Sequence, residues 1–81
     1  MLEIGILIRQ KLKERKRTIV WLAEKLSCSR TNVYKIFDKR SIDTDYLLRI
    51  SDILDYDFFK LYSDELKKRK DNSTGGESNN T

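Results

Sequence analysis

The sequence predicts an all-α fold: a compact five-helix domain with a disordered C-terminal tail. Three observations predict it. Apolar residues recur at spacings of three and four from Ile4 to Leu66, the period of one helix face. No useful length of the chain alternates apolar and polar residues as a half-buried strand would. Ser, Thr or Asp precedes most of the apolar runs, where helix N-caps belong. With 81 residues there is one small domain, not two. A chain this short buries only about 60% of the surface its unfolded form exposes, so its stability is thin.

The first helix is expected over about 2–15. Ile4, Ile8 and Leu12 recur every four residues with Leu7 beside them, and Arg9, Lys13 and Lys16 fall opposite. Thr18 offers a cap for a second helix over 19–26, striped by Leu22 and Leu26 with Val20 or Ala23. Ser27-Cys28-Ser29 interrupts it, and Ser29 can cap a third helix in which Val33, Ile36 and Phe37 share a face. Residues 38–42 read as a loop. Asp43 can cap a fourth helix carrying Leu47, Ile50, Ile53 and Leu54, and Asp57 a fifth in which Phe58, Leu61, Tyr62 and Leu66 bury. The domain is therefore expected to occupy 1–66. A basic run, Lys67-Lys68-Arg69-Lys70, opens the tail; it could touch phosphate, but such a run is more often the solvated last turn of a helix. From Asp71 to Thr81 there is no apolar residue, and this segment is expected to be disordered.

Composition excludes several function classes. There is no histidine, so the usual zinc ligand set and the commonest general base are missing. One cysteine cannot form an internal disulfide, which suits a reducing cytoplasm. No apolar run approaches the roughly 20 residues that span a bilayer, and no signal-peptide pattern is present. No glycine-rich phosphate loop or activated nucleophile occurs, so an enzyme, a cofactor and a small-molecule substrate are not expected. Asp43/Asp45 and Asp52/Asp55/Asp57 read as caps and a solvated face, not a catalytic dyad.

The net charge of +4 conceals a division. Residues 1–40 carry +7, residues 41–66 carry −5 and residues 67–81 carry +2. A polyanion would dock on the first part and be repelled by the second. The plainer account is that these charges only solubilise a helical domain.

Residues 19–38 carry the most information. Two short helices crossing over a tight turn need a small side chain where their backbones approach, and Ala23 supplies it. Leu22 and Leu26 would face Val33 and Ile36, leaving the polar side of the third helix free to enter a DNA major groove. On Ile4-Gly5, Ile8, Leu22-Ala23-Glu24-Lys25-Leu26, the run Cys28 to Ile36, Leu47-Leu48-Arg49-Ile50 and Ile53-Leu54, the chain resembles the Cro/repressor-type (xenobiotic-response-element type) helix-turn-helix family of bacterial and phage regulators. The resemblance covers about residues 4–62. Trp21-Leu22-Ala23, the run Asn32 to Phe37, Ile42-Asp43-Thr44 and Asp57-Phe58-Phe59 further resemble a Bacteroides-like subgroup.

The resemblance implies sequence-specific binding of double-stranded DNA by a cytoplasmic, nucleoid-associated transcriptional regulator that acts like a repressor. It also implies site residues. Arg30, Thr31, Asn32 and Lys35 would contact base edges, and Thr18, Tyr34, Lys39 and Arg40 would contact phosphates. Arg30 has the fork geometry to grip guanine O6 and N7. A homodimer through Phe58, Phe59, Tyr62 and Leu66 would present two such helices. Three positions depart from the family pattern. Ile19 stands where a phosphate-binding glutamine is usual. Ser27 stands where the turn usually has glycine. Leu12 and Phe37 replace a buried ion pair. The alternative is a protein-interaction module on the same fold, such as an antitoxin or scaffold. Trp21 could serve such a partner as a hot spot or simply pack. Cys28 is expected to pack, and Arg9, Arg15, Lys16 and Arg17 to add diffuse positive field.

Overall fold

The computed structural model describes residues 2–72, and these form five α-helices with no strand among them. They are α1 (Ile4–Glu14), α2 (Ile19–Leu26), α3 (Arg30–Phe37), α4 (Thr44–Leu54) and α5 (Phe59–Asn72). Each expected helix is present. The first is shorter than 2–15, for a reason found at its ends.

Four of the five starts are made by a side chain that satisfies an orphan N–H of the first turn. The Trp21 N–H donates to Thr18 Oγ1 at 3.0 Å, and the Asn32 N–H to Ser29 Oγ at 3.1 Å. The Tyr46 N–H donates to Asp43 Oδ1 at 2.8 Å, and the Lys60 N–H to Asp57 Oδ1 at 3.2 Å. The exception is α1, whose capping residue Glu3 makes no side-chain bond. The loop after α3 does the work instead. The Ile4 N–H donates to the Arg40 carbonyl at 3.1 Å, and the Gly5 N–H to the Lys39 carbonyl at 2.9 Å. Gly5 is the residue that lets the two backbones come this close, because a Cβ there would lie 2.3 Å from the Phe37 carbonyl oxygen.

Three helices end alike. Lys16, Ser27 and Asp55 adopt left-handed backbone at φ 57°, 56° and 52°. In each case the next residue's N–H reaches back to a carbonyl of the last turn: Arg17 to Leu12, Cys28 to Ala23 and Tyr56 to Ser51. This is the terminus in which glycine is favoured. None of the three positions has it, so each side chain sits in a conformation costing about 1–2 kcal/mol for an L-residue.

The core is one cluster. It joins Ile4, Ile8 and Leu12 of α1, Leu22, Ala23 and Leu26 of α2, Val33, Ile36 and Phe37 of α3, Leu47, Ile50 and Leu54 of α4, and Phe58. Ala23, not Val20, completes the α2 stripe, and Val20 is exposed. The closest packed pairs are α2 with α3, α1 with α3 and α2 with α4. Leu12 and Phe37 both enter the cluster, the apolar packing expected where the family usually has an ion pair.

α5 departs from expectation twice. Phe58 is fully buried, and Phe59 and Leu61 are half-buried against the core. Tyr62 and Leu66, expected to bury, are 37% and 55% exposed. The helix also continues to Asn72, past the expected domain end at 66, and Lys67-Lys68-Arg69-Lys70 belongs to its last turns, the commoner of the two readings of that run. The macrodipole favours cations there. The rest of the expected tail, 73–81, lies outside the described residues.

Candidate nucleic-acid interface

α3 is held by its apolar side and offers the other. Val33, Ile36 and Phe37 are buried, while Arg30, Thr31, Asn32, Tyr34 and Lys35 are all exposed. Helical spacing puts Thr31 and Lys35, one turn apart, directly opposite the buried stripe. Arg30 and Tyr34 follow one flank, and Asn32 lies on the other. Of the four expected base-contacting residues, Thr31 and Lys35 therefore share the outward face, with Arg30 and Asn32 exposed on its opposite flanks.

The short α2, the turn Ser27-Cys28-Ser29 and the Ser29 cap fix where that surface points. Ser27 in left-handed backbone ends α2 abruptly, and Ser29 starts α3 two residues later. Cys28 between them is half-buried, as its apolar setting suggested. It lies beside Tyr46, whose hydroxyl is held above its ordinary pKa by burial and then by the neighbouring thiol. The turn thus rests on α4 through the Tyr46 phenol.

The expected phosphate residues are more scattered. Thr18 is exposed at the start of α2, with its hydroxyl committed to the cap. Tyr34 meets the Phe37 ring edge-on at 6.2 Å. Lys39 and Arg40 follow α3, and their carbonyls hold the start of α1. Arg40 lines a groove with Leu2, Ser41, Tyr62, Glu65 and Arg69.

Several basic residues assigned to a diffuse field have definite partners. Arg15 Nε donates to the Leu54 carbonyl at 2.9 Å, and Arg15 Nη2 to the Asp55 carbonyl at 2.7 Å. It closes the end of α4, where the dipole favours a cation. Arg9 lies over the Phe37 ring at 5.7 Å. Lys11 Nζ lies 3.9 Å from the centre of the Tyr56 ring and 2.8 Å from Glu14 Oε1. That hydrogen bond and charge hold the Glu14 carboxyl below its ordinary pKa. Trp21 is half-buried against the core, with Arg17 Cζ at 4.8 Å and Lys25 Nζ at 5.9 Å from its ring. It packs, and it carries two cations on its face. The spacing of four from Arg17 to Trp21 to Lys25 is visible in the sequence and is the signal for this stack.

Ile19, in place of the phosphate-binding glutamine, is half-buried against the core. On α4 the picture inverts. Leu48 is 60% exposed and shares a shallow groove with Asp52, Asp55, Asp57 and Phe59. Among the described residues no helix is long and apolar enough to cross a membrane, and no group of three acidic or thiol side chains could hold a metal ion.

Comparison with known proteins finds no matching family model, no matching curated protein and no matching solved structure.

Proposed function

We propose that this chain binds double-stranded DNA and reads the major groove with α3, as a repressor-like transcriptional regulator. The observation that carries the reading is the exposed surface of Arg30, Thr31, Asn32 and Lys35 on a helix anchored by its opposite side. A helix presented this way can lay its polar face along base edges while its apolar face stays in the core. The charge division supports it, since the first forty residues carry +7 and the α4 region is acidic. Arg30 pairs with guanine, Thr31 offers its methyl or hydroxyl to thymine or a neighbouring base, and Lys35 adds a point charge at O6/N7. Asn32 serves the flank. Lys39, Tyr34 and the start of α2 at Thr18 hold phosphates and set the register. The likeness to the Cro/repressor-type helix-turn-helix family points the same way.

The test is a duplex selected from a random pool, followed by a salt titration. A DNA reader loses affinity with a log–log slope of about −0.9 per phosphate contacted. Arg30→Ala should cost about 1–3 kcal/mol on the selected duplex and relax one base position, whereas Lys39→Ala should weaken all duplexes alike. If Arg30→Ala binds the selected duplex as tightly as the unmodified chain, α3 is not the reading helix.

A second reading is a protein-interaction module. Exposed Leu48 amid Asp52, Asp55 and Asp57 favours it, because an apolar centre with a charged rim is the anatomy of a protein contact. Absent or salt-independent duplex binding would move the assignment there.

A further inference from the structure

We infer that Arg9 of α1 grips a backbone phosphate of duplex DNA, on the strand that borders α3 along its Arg30 and Tyr34 flank. Resting on the α3 reading, this contact adds a second helix to the DNA-facing surface and a residue that charge alone would leave in a diffuse field. The geometry starts at Gly5, which lies against the Ile36 and Phe37 carbonyls and donates its N–H to the Lys39 carbonyl at 2.9 Å. Arg9 is one helical turn on and shares that side of α1. It is exposed, and its Cζ lies 5.7 Å from the centre of the Phe37 ring. The same ring meets Tyr34 edge-on at 6.2 Å.

Helical spacing fixes which flank this is. Around α3 the order runs from Phe37 to Arg30 and Tyr34, and then to Thr31 and Lys35 on the outward face. α1 therefore meets α3 on the Arg30 and Tyr34 side, and Arg9 extends the exposed polar surface past Tyr34. Backbone contact at Gly5 locks the two helices together, so the Arg9 head is carried in place before DNA arrives. Less ordering is then needed on binding. A phosphate held from a second helix fixes the angle at which α3 enters the groove and carries no sequence preference.

The chemistry suits a phosphodiester. The Phe37 ring attracts the guanidinium by its charge, and among the described residues no hydrogen bond or ion pair takes the Arg9 N–H donors. Those donors match a phosphate two at a time. The surrounding charges favour an anion. Lys13 is one turn further along α1, and Glu14, the acid of that helix, is bound to Lys11 Nζ at 2.8 Å. Glu3 precedes the helix, nearly two turns from Arg9. Asp38, at the end of α3, is the opposing charge, and Lys35 and Lys39 flank it in the chain.

The experiment is fluorescence anisotropy of the full chain on the selected duplex and on an unrelated one, from about 50 mM to about 200 mM salt. Arg9→Gln should weaken both duplexes alike, by about tenfold, and make the log–log salt slope shallower by about 0.9. Its circular dichroism should be unchanged, because Arg9 is exposed and outside the core. Arg9→Lys should keep the slope, since the charge remains, and lose part of the affinity, since the fork is gone. Lys13→Gln removes an equal charge one turn along the same helix and should move the slope much less. Three results overturn the inference: an Arg9→Gln variant with unchanged affinity and slope, a Lys13→Gln variant that loses as much, or a loss confined to the selected duplex. In each case the α3 reading stands if Arg30→Ala still relaxes one base position. No duplex binding by the unmodified chain overturns both.

Discussion

Gly5→Ala is the sharpest test of the fold, because two rules give opposite signs. An ordinary helical glycine gains about 1 kcal/mol on replacement by alanine, through propensity alone. Here the new Cβ would lie 2.3 Å from the Phe37 carbonyl oxygen, 2.4 Å from that of Ile36 and 2.6 Å from the Phe37 carbonyl carbon. All three are backbone atoms, so no side chain can swing aside. Restoring contact distance requires α1 and α3 to part by roughly 1 Å. Overpacking of this kind costs about 1–3 kcal/mol. The parting also strains the bonds from Ile4 N–H to Arg40 and from Gly5 N–H to Lys39, at 3.1 and 2.9 Å, each worth about 1 kcal/mol. Less the propensity gain, the net loss is about 2–4 kcal/mol. A fold of this size holds only about 4–10 kcal/mol in all. At about 4–8 °C per kcal/mol for a domain of this length, Tm should fall by about 10–30 °C. Urea and thermal unfolding followed by circular dichroism measure it. A Gly5→Ala variant as stable as the unmodified chain, or more so, refutes the close approach of α1 to α3.

Other perturbations have equally definite signs. Ser27→Gly should stabilise by about 0.5–1 kcal/mol, because it relieves left-handed strain at φ 56° and gives back part of the gain as unfolded-chain entropy; Asp55→Gly should behave alike, and urea midpoints report both. Arg15→Ala should cost about 1–2 kcal/mol by releasing the Leu54 and Asp55 carbonyls, and lysine, without the two-pronged head, should not restore it. Tyr46 is held above its ordinary value of 10.0. The unfolded chain therefore ionises first as pH rises, and stability is full below that value and falls above it. Denaturation above and below that pH, with Tyr46→Phe as the reference lacking the phenol, should show the loss in the unmodified chain and less of it in the variant.

Much of the fold is legible in the chain because local chemistry decides it. Thr18, Ser29, Asp43 and Asp57 each satisfy an N–H within three residues, so cap and helix start are one local event. The apolar stripes of α1 to α4 repeat at the helical period and bury as that period requires. α5 is different. Tyr62 and Leu66 continue the period, yet bury only if something covers them, and the core takes in no α5 residue beyond Leu61. Helix ends were harder to see, since the usual glycine marker is replaced by Lys16, Ser27 and Asp55. The α3 surface is readable from polarity at fixed spacing, whereas the groove in which Arg40 and Ser41 meet Tyr62, Glu65 and Arg69 of α5 joins residues that no local period links.

By itself, the sequence determined five helices, their capped starts, the core-facing stripes and the basic–acidic division of charge. Each follows from residues close together in the chain, whose spacing is set by helix geometry. Tertiary structure alone decided that Gly5 is a contact between backbones, that Arg15 closes α4 rather than facing solvent, and that Leu66 is left uncovered. These depend on residues 31 to 40 positions apart, or on the absence of a neighbour, and no local period encodes either.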